Sequence, residues 1–400
     1  MTTVINPGPL AIGTPATEPT AVKGYNRPRA IAAMIAVTNP GAFSMIAAPL
    51  LLSAFVRGGG MTAAQGSTLA AGELAGMTAA SLTAALLVAR VDRRLLLVVG
   101  LAVALLGHVA SALLPGFGAV LVARAIAGIG TGTMFTTGVA GLAGTTNPER
   151  AFGFSMTTNQ AVTLLLMTIV ARLGSQAGPV QTITVIVALS VLMGIAIPLV
   201  PPRTPDMSGE VARGSASAGI FSPLLGLLAL LSFTIAIGMV WPLVGQIGVQ
   251  GGIAPAIVDG TIALAGIGAI VGGLAAASIG IRFGRLPILI PCIVSLTAAM
   301  LFLHFPFSAG GFRVAMLAIL FFWPLSIPFL LGTLAMLDPA GRWAALSGAT
   351  VPCGMSLGGV IAATIVAGGD LPRVALTGSI AMLASAVLVA SAFWSASRTR

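Results

Sequence analysis

Ionised side chains are scarce in this 400-residue chain: 7% of its residues are Asp, Glu, Lys or Arg, while 57% are apolar. A water-soluble protein could not cover its surface with so few charges, so most of that surface must meet lipid. Cysteine is nearly absent as well. Cys292 and Cys353 both fall inside apolar runs, which excludes a disulfide framework and leaves them as small core residues. No run carries His, Cys, Asp and Glu clustered at metal-ligand spacing, and no nucleophile–base pair is apparent. A Gly-Lys-Ser/Thr phosphate loop is also missing, which excludes direct ATP drive. No cofactor is expected. A membrane-embedded enzyme is therefore disfavoured, and a sensor is disfavoured by the lack of an attached soluble output segment.

What is present is a series of long uncharged stretches. A helix crossing a hydrocarbon layer of about 30 Å needs ~20 mostly apolar residues, and runs of that size predict twelve spans. They lie near 30–56, 62–89, 95–114, 119–143, 151–171, 180–200, 219–245, 253–279, 286–305, 313–337, 343–367 and 372–394. The runs are continuous rather than alternating, which excludes an outer-membrane barrel. Alternating the breaks between two sides puts 14 of the 19 basic residues on the side of the termini. Four (Arg57, Arg172, Arg313 and Arg373) fall on the other, and Arg124 lies inside a span. The basic excess predicts a multi-pass protein of a bacterial cytoplasmic (inner) membrane with both termini in the cytoplasm. The net charge of +10 is dispersed over short loops that meet anionic lipid, so no nucleic-acid partner is expected. Residues 1–25 read as a polar cytoplasmic tail; the Pro- and Thr-rich stretch 1–22 has no basic n-region and is not expected to be a cleaved signal.

The longest interior polar interval, 201–218, contains Pro201-Pro202, Asp206, Glu210 and Gly214-Ser215-Ala216-Ser217, the composition of a flexible linker. It divides an N-terminal six-span unit (26–200) from a C-terminal one (219–395). The two units echo each other. Asp92-Arg93-Arg94 after the second span matches Arg282-Phe283-Gly284-Arg285 after the eighth. Asn147-Pro148-Glu149-Arg150 before the fifth matches Asp338-Pro339-Ala340-Gly341-Arg342 before the eleventh. Internal duplication with a site between the repeats is how many secondary transporters are built.

On these residues the chain resembles the major facilitator superfamily over nearly all of its length after residue 25. Asp92 and Arg93 match the Asp-Arg pair of that family's loop between helices two and three, in a shortened copy that lacks a Gly and runs into Arg94. The second copy keeps Arg282, Gly284 and Arg285 but has Ile281 in place of the acid. Arg124, Gly128 and Gly130 match the fourth-helix signature. The resemblance implies an all-α membrane protein of twelve transmembrane helices, in two six-helix bundles related by pseudo-two-fold symmetry. It also implies secondary transport of a small molecule by alternating access, and a monomer is the expected state.

Few polar groups lie within the spans. Arg124, six residues into the fourth span from the outer side, costs at least ~2.5 kcal/mol to insert, so it should face a wet cavity or a carboxylate. Its neighbours Gly128, Thr131 and Phe135 form a stripe that leaves room beside the guanidinium. It reads either as an anion-binding or coupling group or as half of a static ion pair. Glu73, at comparable depth in the second span, is the expected partner. A carboxylate alternating between paired and isolated states would couple proton movement to transport. Asn159 and Gln160 in the fifth span either bind a polar substrate or hydrogen-bond neighbouring helices. Asp259 lies near the outer end of the eighth span, where interfacial water reaches it. Trp241-Pro242 and Trp323-Pro324 fall in helices seven and ten, which line the central cavity in the resembled family, and Asn39-Pro40 breaks the first helix similarly. Proline suits a gate, and a tryptophan offers a stacking surface or an interfacial anchor. Small-xxx-small pairs such as Gly72/Gly76, Gly128/Gly132, Gly268/Gly272 and Gly354/Gly358 predict tight helix contacts. His108 and His304, in spans that are peripheral in that family, read as structural.

A cytoplasmic gate is expected from Asp92, Arg93, Glu149, Arg150, Arg282 and Arg285. Asp92 with its neighbouring arginines, and Glu149 with Arg150, would form ion pairs that break when the inner mouth opens. The first span lacks an acid and the fifth lacks the Gly- and Pro-containing element of the family's drug exporters. That favours proton-coupled uptake of a small organic solute, an organic acid being suggested by Arg124, over proton-driven efflux of drug-like or metabolite compounds.

Overall fold

A computed structural model describes residues 24–46, 50–51, 54–55, 58–173, 178–203, 220–337, 342–367 and 370–398. Nearly all of the predicted tail and linker lies outside the described residues, as does Asp338. Twelve long helical segments are present among the described residues: α1 (Pro28–Ile46), α2 (Ala63–Leu87), α3 (Arg93–Leu113), α4 (Phe117–Ala143), α5 (Pro148–Arg172), α6 (Pro179–Gly194), α7 (Phe221–Gln250), α8 (Pro255–Ile279), α9 (Leu286–Phe302), α10 (Ala309–Leu337), α11 (Arg342–Ala367) and α12 (Leu371–Arg398). Ten helices are long and apolar enough to cross a membrane, and α9 is a shorter apolar helix.

Local chemistry sets the ends. Thr62 caps α2, accepting from the Gln65 N–H at 3.2 Å, while the Gln65 side chain accepts from the Thr62 N–H at 2.9 Å. Asp92 caps α3 by accepting from the Arg94 N–H at 2.8 Å. Pro255 occupies the first turn of α8, and Gly280, at φ +52°, closes it in a conformation L side chains rarely adopt. The two Trp-Pro pairs behave differently. Trp241-Pro242 interrupts α7 with a 3-10 turn over Trp241–Leu243, whereas Pro324 is carried within a continuous α10. Around the outside, Leu86, Leu106, Ile195, Val314 and Ile380 are exposed, while Glu73, His108, Arg124, Asn39 and Asn159 are buried. That pattern is inverted relative to a water-soluble fold and suits a lipid solvent.

Helix pairings repeat under a shift of six. Within the first half α4 packs on α1, α2 and α3; within the second α10 packs on α7, α8 and α9. Between halves, α5 packs on α8 and α10 as α11 packs on α2 and α4. The molecule is thus two six-helix bundles related by a pseudo-two-fold axis. Small residues permit these approaches. A side chain at Gly128 or Gly132 of α4 would strike the α2 backbone at Glu73 and Met77; one at Gly272 of α8 would strike Phe321 of α10. Gly354 and Gly358 of α11 abut Thr234 and Ile235 of α7. Across the interface Gly153 (α5) meets Ala277 (α8), Gly273 (α8) meets Thr157 (α5), and Gly348 (α11) meets Thr136 (α4). At ~1.5 Å per residue all three contacts lie within about 14 Å of the arginine-rich face. The bundles are closed together there.

Candidate functional site

Two charged groups of the N-terminal bundle meet inside it, beside a histidine. Arg124 on α4 donates from Nη2 to Glu73 Oε2 on α2. Its Nη1 lies 2.9 Å from His108 Nδ1 on α3. A guanidinium has only donors, so Nδ1 accepts and the ring proton sits on Nε2. Nε2 has no hydrogen-bond partner among the described residues. Glycine makes the cluster possible: Gly128 brings α4 onto the backbone of Glu73, and Gly107 of α3 lies against Ala123 and Ala127 of α4. All three side chains are buried, with Arg124 1% exposed. Arg124 therefore faces the carboxylate anticipated for it. The room expected along Thr131 and Phe135 is taken up by Gly41 of α1. His108, read from sequence as a peripheral support, is a direct partner of the guanidinium; a lone histidine on a neighbouring apolar span carries no sequence mark of that contact.

A second set of polar groups is spread over several turns of helix, from Thr136 about 10 Å to Trp241 about 30 Å from the arginine-rich helix ends, at ~1.5 Å per residue. Asn39 on α1 and Asn159 on α5 each stand eleven residues from the arginine-rich end of their helix, about 16 Å at ~1.5 Å per residue. Asn39 Nδ2 donates to the Ile35 carbonyl at 2.8 Å, but its Oδ1 has no partner. Both polar atoms of the Asn159 amide, the Thr136 and Thr163 hydroxyls and Trp241 Nε1 are likewise buried without partners among the described residues. Each such group costs ~1–3 kcal/mol if nothing satisfies it, and a run of them calls for water or a ligand. Trp241 and Trp323 join α7 to α10 edge to face, ring centroids 5.7 Å apart at 61°. Gln160 is half-buried one turn beyond Thr157, on the stripe of α5 that meets α8. Asp259 is on α8, but its side chain lies outside the described residues.

The latch is narrower than the loops suggest. Glu149, at the start of α5, accepts from Arg285 Nε across the bundle interface. Arg285 Nη1 also reaches Met336 Sδ of α10 at 3.0 Å. Glu149 is fully buried because Gly332 of α10 leaves space for its carboxylate, and its Oε2 has no partner among the described residues. Arg150 does not join this pair; its guanidinium lies 5.8 Å from the Phe154 ring centre. Asp92 is engaged in capping α3 rather than holding an arginine, because it stands immediately before the first helical residue. Arg93 turns inward and donates to the Tyr25 hydroxyl at 3.0 Å, while Arg282 is exposed. Sequence spacing named both members of the real pair but not their pairing, which depends on how the two bundles meet. Among the described residues no three His, Cys, Asp or Glu side chains converge to hold a metal ion.

No protein-family model and no curated protein matches the chain. Solved structures do. The major facilitator superfamily transporter FucP in its outward conformation, an E. coli fucose:proton symporter, shares 15% identity at a TM-score of 0.72, over 92% of this chain and 99% of that one. The proton:xylose symporter XylE shares 14% identity at 0.70, over 92% and 95% of the two chains. The human organic anion transporter MFSD10 shares 17% at 0.69, over 93% and 100%. Such low identity with such complete coverage speaks to architecture, and together with the twelve helices and their six-shifted pairings it makes this a multi-pass membrane protein with the major facilitator superfamily transporter fold.

Proposed function

We propose that the protein is a secondary active transporter that takes a small polar organic solute across the bacterial cytoplasmic membrane by alternating access, coupled to protons. The observation that carries this reading is the set of buried polar groups on α1, α4, α5 and α7 that have no partner among the described residues. Asn39, Asn159, Thr136 and Trp241 supply donors and acceptors, which a bound polar solute would satisfy. Uptake keeps its support from the missing acid in α1 and the missing exporter element in α5. Coupling is assigned to Glu73. Protonation of its carboxylate would release Arg124, whose other contact is the neutral nitrogen of His108. The arginine-rich face is assigned to the cytoplasm, where the Glu149–Arg285 pair closes the inner mouth and breaks when the bundles rock apart.

Asn39, Asn159, Thr136 and Trp241 are uncharged, so a hydroxylated or amide-bearing solute is the first reading. An organic acid is the second, favoured by the organic anion carried by MFSD10; it would have to displace Glu73 to reach Arg124. A thermal-stabilisation screen of neutral and anionic solutes on the purified protein identifies the class. Flux of the stabilising solute into proteoliposomes is then measured with and without an imposed pH gradient. Accumulation that follows the gradient, and that Glu73→Gln abolishes while sparing exchange, supports the proposal. Flux indifferent to the gradient removes the coupling, and no flux of any stabilising solute removes the transport reading.

A further inference from the structure

Four arginines, Arg27, Arg29, Arg94 and Arg203, line one cavity of about 450 Å³ on the arginine-rich face, between the start of α1, the start of α3 and the chain leaving α6. The walls are tied in place. The Tyr25 hydroxyl donates to the Gly141 carbonyl at 2.6 Å and accepts from Arg93 Nη1, which fixes the entry to α1 against α4. Arg94 Nε donates to the Val200 carbonyl at 2.7 Å, and the Arg93 N–H to that of Pro202 at 3.0 Å, which fixes the segment after α6 against α3.

No acidic residue among the described residues lines this cavity. The nearest in sequence, Asp92, has its carboxylate turned to the backbone it caps. The first turns of α1 and α3 both contribute to the walls, adding the partial positive charge of two helix N-termini. Four guanidiniums and two helix ends about one space repel each other unless an anion sits among them, and the fork of an arginine matches a phosphate. An apolar track adjoins the charges. Leu192, Ile195 and Leu199 of α6 and its 3-10 extension are 62%, 70% and 53% exposed. Spaced by three and four residues, they form one stripe that runs from the cavity toward the middle of the helix. Leu95 and Val98 of α3 are exposed as well.

The geometry points to a binding site for a phosphate-bearing anion, built to take the headgroup of an anionic phospholipid whose acyl chain lies along α6. The site is walled by the N-terminal bundle and the chain that enters and leaves it, apart from the contacts that close the two bundles together. An acidic headgroup on that face would anchor one bundle to the lipid while the other rocks.

Native mass spectrometry of the purified protein, titrated in detergent with phosphatidylglycerol or phosphatidylcholine, tests this. Phosphatidylglycerol should be retained preferentially. Arg27→Gln and Arg203→Gln should each weaken it about fivefold, from the contribution of one basic side chain near an anionic surface. The triple variant with Arg29→Gln should lose it by more than tenfold. Arg90→Gln, exposed on the same face but outside the cavity, should change it less than twofold. The single variants carry the test if the triple one does not fold. Competition by inorganic phosphate separates the sources: displacement shows that the phosphate itself is recognised, and retention shows that the lipid body contributes as well. Equal retention of the two lipids, or losses no larger than that of Arg90→Gln, overturns the proposal. Binding of inorganic phosphate without phosphatidylglycerol overturns the lipid assignment.

Discussion

Removing the positive partner of the Glu149–Arg285 pair should open the arginine-rich face. Glu149 is 0% exposed, and its Oε2 has no partner among the described residues, so Arg285 is its principal compensation. Arg285→Gln strands that carboxylate in the closed state. A buried charge left uncompensated costs about 3–5 kcal/mol. In the open state the bundles part and water reaches the carboxylate, so the cost falls on closure alone. At 3 kcal/mol the equilibrium moves about 150-fold, enough to turn a conformer populated at about 99% into a minority. Glu149→Gln should do less, about fivefold, because the stranded Arg285 head is 19% exposed and can reach water. The double variant removes both charges, and two amides at that spacing should restore much of the closure, so the effects are not additive. Spin labels at Arg90→Cys and Arg282→Cys, one in each bundle and both exposed, report the distance distribution in a background free of Cys292 and Cys353. Arg285→Gln should shift that distribution to longer separations. An unchanged distribution, or a double variant at least as open as the single one, would refute the reasoning.

Steric wedges should act at the same interface. A Cβ at Gly348 would lie 2.8 Å from Thr136 Cα, so Gly348→Val should lengthen the same label distance and stop transport while leaving each bundle folded, as circular dichroism can check. Inside the N-terminal bundle the opposite pattern is expected. Arg124→Ala removes the buried cation paired with Glu73 and should lower stability by about 3–5 kcal/mol, read as a large fall in the thermal midpoint, with little change in the interbundle distance. Asn159→Ala removes an amide whose donor and acceptor are both unmet, so stability should hold or rise by about 1 kcal/mol while solute affinity falls. A loss of stability there would show that the amide braces the fold.

The architecture was legible because the bilayer imposes it. Runs of about twenty apolar residues follow from the length of a span, and that is a linear property of the chain. The site was legible only in part. Glu73 and Arg124 were named together because a membrane interior leaves a lone charge few partners. His108 escaped, since a histidine in an apolar run looks alike whether it packs or accepts. Glu149 and Arg285 were named as gate residues, yet Glu149 was matched to Arg150 beside it. The actual partner is 136 positions away, and its contact exists only because Gly332 leaves room on α10. Pairings across a duplicated interface depend on rigid-body docking, which no local pattern encodes.

Two ion pairs of similar composition therefore have different mechanical consequences. Glu73–Arg124 joins helices of one bundle, so rocking alone does not pull it apart and its release needs protonation of the carboxylate. Glu149–Arg285 joins different bundles, so opening must separate it. The second set of polar groups links the two. Amides, a hydroxyl and an indole on α1, α4, α5 and α7 have buried polar atoms without protein partners among the described residues, which water or a solute must satisfy. A solute that satisfies them shifts the balance between conformers by its differential affinity alone. Among the described residues, closure on the arginine-rich face combines the Glu149–Arg285 pair with helix packing of α5 on α8 and α10 and of α11 on α2 and α4. On the proposed transport reading, a modest binding energy would then change which face is open.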